Sequence, residues 1–161
     1  MAEQVLLGDE AVALGAIHSG LSNAYGYPGT PSSEIMEYLI KYSIKTGKIH
    51  ASWCSNEKTA CEDALGVSLA GKRAIVTMKH VGLNVAADPF INSALLKING
   101  GLVIVVADDP GMHSSQDEQD SRFFADFAKV PCLEPVNQQE AYRMTGEAFA
   151  ISEKYNVPVM I

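Results

Sequence analysis

The chain has 161 residues, of which 47% are hydrophobic, and this length suits one globular domain with a single core. Its 12 basic and 19 acidic residues give a net charge of −7 without any run of lysine or arginine, so we expect no nucleic-acid partner and no membrane association. No apolar stretch approaches the roughly 18 residues that span a bilayer, and residues 1–8 are too short and too acidic for a signal peptide.

The three cysteines, Cys54, Cys61 and Cys132, form neither a C-x-x-C pair nor a disulfide framework. An odd number of free thiols suits a reducing cytoplasm, where we expect the protein to reside. We expect each of the three to be a buried small hydrophobic residue.

Helical and extended patterns alternate along the chain. In chain order the predicted elements are helix 9–19, strand 24–27, helix 31–46, strand 49–54, helix 57–70, strand 73–78, helix 81–96, strand 101–107, helix 115–129, strand 130–133, helix 137–154 and strand 157–161. This alternation predicts an α/β fold, a three-layer parallel sheet of about six strands with helices on both faces. We expect residues 1–161 to form one domain of a longer subunit.

Cap signals indicate where the helices begin. Thr30 is a good N-cap before Pro31, whose missing N–H costs nothing at the first helical position. Either Ser55 or Asn56 caps the helix that starts at Glu57.

The polar segment after residue 107 also carries helix signals. Ser115 and Glu118 form a capping-box pair that predicts a helix to about Lys129. Asp117 and Asp120 near its start and Lys129 at its end suit the helix dipole.

Two predicted strands differ in composition. Residues 101–107 are almost entirely apolar, which predicts the central, fully buried strand of the sheet. Residues 130–133 include Pro131, which places that strand near an edge.

Ligands bind beyond the carboxyl ends of strands in a parallel sheet. The segments expected there are 27–30, 55–57, 79–82 and 108–115. No G-x-G-x-x-G, P-loop or G-x-S-x-G motif is present, so the chain alone should not cradle a diphosphate or form a hydrolase triad. We expect no metal site, because the four histidines show no ligand spacing.

Glu57 has two interpretations from its position alone. An acidic residue in the first turn of a helix interacts favourably with the helix dipole, and this structural role is common. A carboxylate at a strand-to-helix junction can also reach into a cleft and hold a proton for a ligand.

Several blocks of sequence carry a family resemblance: Y-P-G-T-P-S-S at 27–33, N-E-K at 56–58, M-K-H-V-G-L-N-V-A-A-D-P at 78–89 and A-D-D-P-G-M-H-S-S-Q-D-E-Q-D-S-R at 107–122. They resemble the alpha subunit of indolepyruvate:ferredoxin oxidoreductase over essentially the whole chain. The first block is more distantly similar to pyruvate:ferredoxin oxidoreductases. The resemblance implies the pyrimidine-binding domain of a thiamine diphosphate enzyme.

The resemblance also implies roles for individual residues. Glu57 would be the catalytic glutamate that bonds to N1′ of the cofactor's aminopyrimidine. The cofactor-binding residues implied are Tyr27, Pro28, Gly29, Thr30, His80, Val81, Gly82 and Asn84. The substrate residues implied are Thr30, Met112 and His113. Thr30 can also be an N-cap, and the alternative for His80 is a polar surface residue. No arginine matches the one that holds the carboxylate in pyruvate-specific relatives.

The implied reaction converts indolepyruvate or another arylpyruvate, with CoA, to aryl-acetyl-CoA and CO2, with ferredoxin as electron acceptor. Mg²⁺, the [4Fe-4S] clusters, the diphosphate-binding domain and the beta subunit would lie outside these residues. Two alternatives remain open: the small subunit of a non-oxidative thiamine-dependent 2-oxo acid decarboxylase, and a non-catalytic assembly domain.

Overall fold

A computed structural model describes residues 5–161, in which helices and strands alternate except that the last two helices follow each other. Its helices are α1 (Gly8–His18), α2 (Ser33–Thr46), α3 (Glu57–Leu69), α4 (His80–Ser93), α5 (Arg122–Ala128) and α6 (Gln138–Tyr155). Its strands are β1 (Asn23–Gly26), β2 (His50–Trp53), β3 (Ala74–Lys79), β4 (Leu102–Ala107) and β5 (Val159–Met160). Residues 1–4 lie outside the described residues, and they belong to the segment 1–8 that was considered above as a signal peptide.

The strands form one parallel sheet in the order β2-β1-β3-β4-β5. Successive side chains on a strand point to opposite faces. On β3, Ile75 therefore packs with α1, α2 and α6, whereas Val76 and Met78 pack with α3, α4 and α5. The predicted fold class, a parallel sheet between two helical layers, is confirmed, with five strands against the expected six or so.

Each helical layer has its own apolar core. Phe149 of α6 is fully buried on one face of the sheet, and Phe90 of α4 is fully buried on the other. Truncating either ring to alanine should cost about 3–5 kcal/mol of stability, because a dry cavity would replace it.

The helix after β2 begins where the sequence predicts. The side-chain oxygen of Asn56 accepts a hydrogen bond from the backbone N–H of Thr59 at 2.9 Å, so Asn56 rather than Ser55 is the cap. Glu57 is the first residue of α3.

The predicted start of α2 is wrong by two residues. The backbone N–H and the hydroxyl of Ser32 both donate to the Gly29 carbonyl, each at 2.8 Å, and the Gly29 N–H donates to the Ser33 hydroxyl. These bonds close a turn, so the helix can begin only at Ser33. Thr30 is therefore not the N-cap, and Pro31 is not the first helical residue.

The predicted capping box is also wrong. The Ser115 hydroxyl donates to the Asp109 carboxylate, and the Glu118 carboxylate accepts from the Gly111 N–H. Both side chains therefore bond within a loop, and the helix starts later, at Arg122. Residues 108–121 are called the β4–α5 loop below.

The dipole role predicted for Asp117 does not apply, because this residue lies five positions before α5. Asp120 keeps a role at the helix start, since its carboxylate accepts from the backbone N–H of Arg122, the first residue of α5, at 3.1 Å. The same carboxylate pairs with the Arg122 guanidinium at 2.8 Å. The predicted helix end is close, since Lys129 is the C-cap residue.

The position predicted for residues 101–107 is corrected too. The centre of the sheet is β3, and β4 lies beside it, with its last two residues only half-buried. The expected strand 130–133 is reduced to one parallel bridge between Cys132 and Met160 next to β5. Strand order depends on pairing between distant segments, which apolar composition does not encode.

Only one of the three cysteines is buried as expected. Cys61 is fully buried, and burial raises the pKa of its thiol to about 12. Cys54 is half-buried, and burial together with the nearby Asp63 raises the pKa of its thiol to about 11. Cys132 is exposed. No helix within residues 5–161 is long and apolar enough to cross a membrane.

Candidate functional site

Four segments meet at the edge of the sheet formed by the carboxyl ends of the strands. They are the 27–30 turn after β1, the start of α3 after β2, the start of α4 after β3, and the β4–α5 loop after β4. This is the edge at which the sequence places the chemistry.

Glu57 is largely buried, and within the described part of the chain its carboxylate makes no hydrogen bond to protein. The residue is 9% exposed, and within residues 5–161 its side chain takes part in no hydrogen bond or ion pair. The capping role belongs to Asn56 and Thr59. The Glu57 oxygens are not among the fully buried atoms without a partner, so they can still be reached by a ligand, and their acceptor capacity is free for it.

Gly82 lies directly against this carboxylate. A Cβ added at Gly82 would be 2.5 Å from Oε1 and 2.7 Å from Cγ of Glu57. No side chain fits between α4 and Glu57, so α4 reaches the carboxylate only because residue 82 is glycine. The structure thus brings together two of the predicted site residues from different helices.

His80 is fully buried, so the surface alternative for it is wrong. Its Nε2 lies 3.0 Å from the Asp117 carbonyl oxygen and 3.4 Å from the Asp117 carboxylate. The Gln119 side-chain amide donates to the His80 carbonyl. Nδ1 of His80 is buried and has no hydrogen-bond partner among residues 5–161. His80 therefore joins the start of α4 to the β4–α5 loop.

The β4–α5 loop is organised by a residue that the sequence analysis missed. The Asp109 carboxylate accepts from the backbone N–H groups of His113 and Ser114 and from the hydroxyls of Ser114 and Ser115. These donors, with the Ser114 N–H the strongest, lower the pKa of Asp109 to about 2. An aspartate followed by paired serines is a pattern that could have revealed this local bonding.

The loop is also tied to its neighbours. The Lys79 ammonium donates to the Ser114 carbonyl at 2.8 Å, and the Ser114 hydroxyl, whose single proton is shared with Asp109, donates to the Thr30 carbonyl at 3.1 Å. A Cβ at Gly29 would lie 2.8 Å from the Lys79 side chain, so the 27–30 turn and the end of β3 are in close contact. Neither Lys79 nor Ser114 was among the predicted site residues.

The remaining predicted residues lie at the same edge with different exposure. Val81 is half-buried, whereas Tyr27, Pro28, Thr30, Asn84, Met112 and His113 are exposed. Among residues 5–161, no hydrogen bond or ion pair joins Glu57 directly to the 27–30 turn or to the β4–α5 loop; the link runs through the first turn of α4.

A separate cleft of about 890 Å³ opens beyond β4 and β5. It is bounded by the start of α1, residues 118–122 and residues 132–138, and none of the predicted site residues lines it. Asp9 lines this cleft, and burial, then the charges of Glu34 and Glu10, raise the pKa of its carboxyl to about 6. The part of the chain that the structure describes holds no group of three or more histidine, cysteine or acidic side chains placed to bind a metal.

Curated relatives match nearly the whole chain. Indolepyruvate oxidoreductase subunit IorA of Archaeoglobus fulgidus is 50% identical over 159 residues, which is 97% of this chain and 26% of the relative. The Pyrococcus horikoshii subunit of the same name is 50% identical over 157 residues, which is 98% of this chain and 24% of the relative. The chain therefore spans about a quarter of the length of these relatives.

Solved structures share the fold. The 2-oxoglutarate:ferredoxin oxidoreductase from Magnetococcus marinus matches with a TM-score of 0.81 and 24% identity, over 96% of this chain and 28% of that chain. The family model described as pyruvate flavodoxin/ferredoxin oxidoreductase, thiamine diphosphate-binding, matches residues 14–161. With these matches over the segments that form the site, the chain belongs to the thiamine diphosphate-binding family of pyruvate flavodoxin/ferredoxin oxidoreductases.

Proposed function

We propose that residues 1–161 are the pyrimidine-binding half of a thiamine diphosphate site in an arylpyruvate (indolepyruvate):ferredoxin oxidoreductase. The observation that carries the proposal is Glu57, a residue that is 9% exposed, whose carboxylate is free of protein hydrogen bonds within residues 5–161 and lies against Gly82. The relatives named as indolepyruvate oxidoreductase subunits support the choice of substrate class.

The described residues fit the pyrimidine end of this cofactor. When bound, thiamine diphosphate supplies a nucleophilic carbon for the 2-oxo group and an electron sink for the loss of CO2. Glu57 would hold a proton at N1′ of the pyrimidine, and its partly buried position suits a carboxyl group that shares a proton with a ligand. The space that a Cβ at Gly82 would fill lies at this carboxylate.

Two groups of residues would form walls around the cofactor. One is the turn after β1, with Tyr27, Pro28, Gly29 and Thr30, and the other is the first turns of α4, with His80, Val81, Gly82 and Asn84. The two walls are tied through the β4–α5 loop, which bonds to Thr30, Lys79 and His80. Such ties keep a site in place before its ligand arrives.

Thr30, Met112 and His113 would contact the arylpyruvate. Met112 and His113 are exposed on a loop that bonds to the Thr30 carbonyl through Ser114. A methionine thioether makes favourable contacts with aromatic rings, which suits an aryl side chain better than the methyl group of pyruvate.

The rest of the enzyme would come from outside these residues, since the chain spans about a quarter of the length of its relatives. The parts required are a diphosphate-binding domain with Mg²⁺, [4Fe-4S] clusters, a beta subunit, ferredoxin and CoA. We therefore predict no sustained turnover by the 161-residue chain alone.

The test is Glu57→Gln in the assembled enzyme. The amide keeps the shape but cannot hold the proton, so kcat with indolepyruvate should fall by about 100-fold or more. Glu62→Gln is the matched control, because Glu62 lies on the same helix with its side chain 52% exposed. Circular dichroism would show that both variants fold.

Unchanged activity in the Glu57→Gln enzyme would contradict the proposal and favour the non-catalytic assembly domain. Loss of CO2 at the full rate without any electron acceptor would instead favour the non-oxidative decarboxylase.

A further inference from the structure

The carboxylate of Asp109 is the centre of the β4–α5 loop. Asp109 is 8% exposed and lies two residues after the end of β4. Its Oδ2 accepts from the Ser114 N–H and the Ser115 hydroxyl, each at 2.8 Å, and from the Ser114 hydroxyl at 3.2 Å. Its Oδ1 accepts from the His113 N–H at 3.2 Å. One side chain thus collects donors from three consecutive residues.

These bonds enclose an unusual reversal of the chain. Gly111 has a φ of +79° and Met112 a φ of +54°, so two consecutive residues are left-handed. A residue with a side chain rarely adopts this conformation, and it persists only where surrounding contacts impose it. The Gly111 N–H donates to the Glu118 carboxylate and the Met112 N–H to the Asp109 carbonyl, and the bonds to the Asp109 carboxylate, which begin at His113, hold the residues that follow.

Two side chains of the reversal are exposed, and the loop is bonded to two neighbouring segments of the site. Met112 is 48% exposed and His113 is also exposed. Ser114, which bonds to Asp109, also accepts from Lys79 and donates to Thr30. The loop therefore has a definite place relative to the turn after β1 and the end of β3.

We propose that Asp109 is a positioning residue for substrate selection, which holds the 111–115 reversal so that Met112 and His113 meet the aryl side chain of a 2-oxo acid. This inference rests on the proposed function. Asp109 touches neither substrate nor cofactor and acts through the two residues that it places. Its carboxylate stays ionised at every working pH, because the pKa of Asp109 lies at about 2.

The test compares Asp109→Asn with Asp108→Asn in the assembled enzyme. Asparagine has the shape of aspartate, but its NH₂ group cannot accept from the N–H and hydroxyl donors. Asp108 is a matched control, because its carboxylate accepts from the Ser121 N–H and hydroxyl and has no bond to residues 111–115.

The first readout is amide hydrogen exchange of the peptide that covers residues 111–116. We expect it to exchange about tenfold faster in Asp109→Asn and at the wild-type rate in Asp108→Asn. Unchanged exchange in Asp109→Asn would overturn the claim that Asp109 holds the reversal, and so would equal acceleration in both variants.

The second readout is the split between KM and kcat for indolepyruvate. A loop that selects the substrate but performs no chemistry should raise KM about tenfold and change kcat less than about twofold. Faster exchange with an unchanged KM would overturn the selection role. If the wild-type enzyme oxidised no arylpyruvate, the proposed function and the selection role would fall together, whereas exchange would still decide whether Asp109 holds the loop.

Discussion

The Glu57–Gly82 contact and the β4–α5 loop lie at the same edge of the sheet but are built differently. Glu57 and Gly82 come from the first turns of two long helices, α3 and α4, and their contact depends on the absence of a side chain at residue 82. The loop has no regular structure, and its shape depends on hydrogen bonds to Asp109.

The two regions differ in how freely they can change shape. A contact between packed helices leaves little freedom, because the fully buried Ala60 and Ala64 of α3 and Leu83 and Ala86 of α4 would have to move with it. A hydrogen-bonded loop can change shape while the core stays intact. We therefore expect the chemistry to depend on the first region and the selection of substrate on the second.

Gly82→Ala should disrupt the contact between α3 and α4 at Glu57, and we expect it to have the largest effect. Its Cβ would meet Oε1 of Glu57 at 2.5 Å, so either the carboxylate or α4 must move. We expect about a 100-fold loss of kcat/KM from displacement of the acid, and about 1–3 kcal/mol of lost stability from overpacking. Assays of the assembled enzyme and urea unfolding would measure the two effects.

Gly66→Ala is the control for that substitution. Gly66 lies inside α3 and a Cβ there meets nothing within 4 Å, so alanine should stabilise the helix by about 0.5–1 kcal/mol. Wild-type activity in Gly82→Ala would show that the close contact is not needed for chemistry.

Ser114→Ala should weaken the loop side of the comparison with a smaller effect. It removes the single hydroxyl proton that the Asp109 carboxylate and the Thr30 carbonyl share, and this loss should cost about 0.5–1.5 kcal/mol of stability. Because the Ser114 N–H bond to Asp109 remains, kcat should stay within about twofold while KM for indolepyruvate rises. Equal loss of kcat and kcat/KM would contradict the division between the two regions.

Asp9→Asn tests a third place on the same edge of the sheet, outside the Glu57–Gly82 contact and the β4–α5 loop. Burial and the charges of Glu34 and Glu10 raise the pKa of Asp9 from 3.8 to about 6 in the folded state. The folded state therefore binds the proton more tightly, and the stabilisation is present below pH 3.8 and lost as the pH rises through 6.

The asparagine does not titrate, so the free energy of unfolding of Asp9→Asn minus that of the wild type should rise from pH 4.5 to pH 8. The rise should be about 1 kcal/mol after allowance for solvent screening. Urea unfolding at the two pH values measures this rise. A difference between the two proteins that does not change with pH would contradict the raised pKa.

Much of the fold could be predicted from the sequence, because the signals involved are local. Asn56 caps α3 through a residue three positions away, and apolar periodicity marks most helices and strands within a turn or two. The same cap signal and periodicity were enough to place Glu57 at a strand-to-helix junction. The start of α2 was missed because the bonds between Gly29 and the two serines after Pro31 close a turn that competes with the helix.

By itself, the sequence determined the alternation of elements, the layered parallel fold and the position of Glu57 at a helix start. Only the tertiary structure decided that β3 is the central strand, that Gly82 contacts Glu57, and that Asp109 accepts the hydrogen bonds of the loop. Local patterns act over a few residues of one segment, whereas strand order, the approach of two helices and the choice of a hydrogen-bond acceptor depend on segments that meet only when the chain is folded.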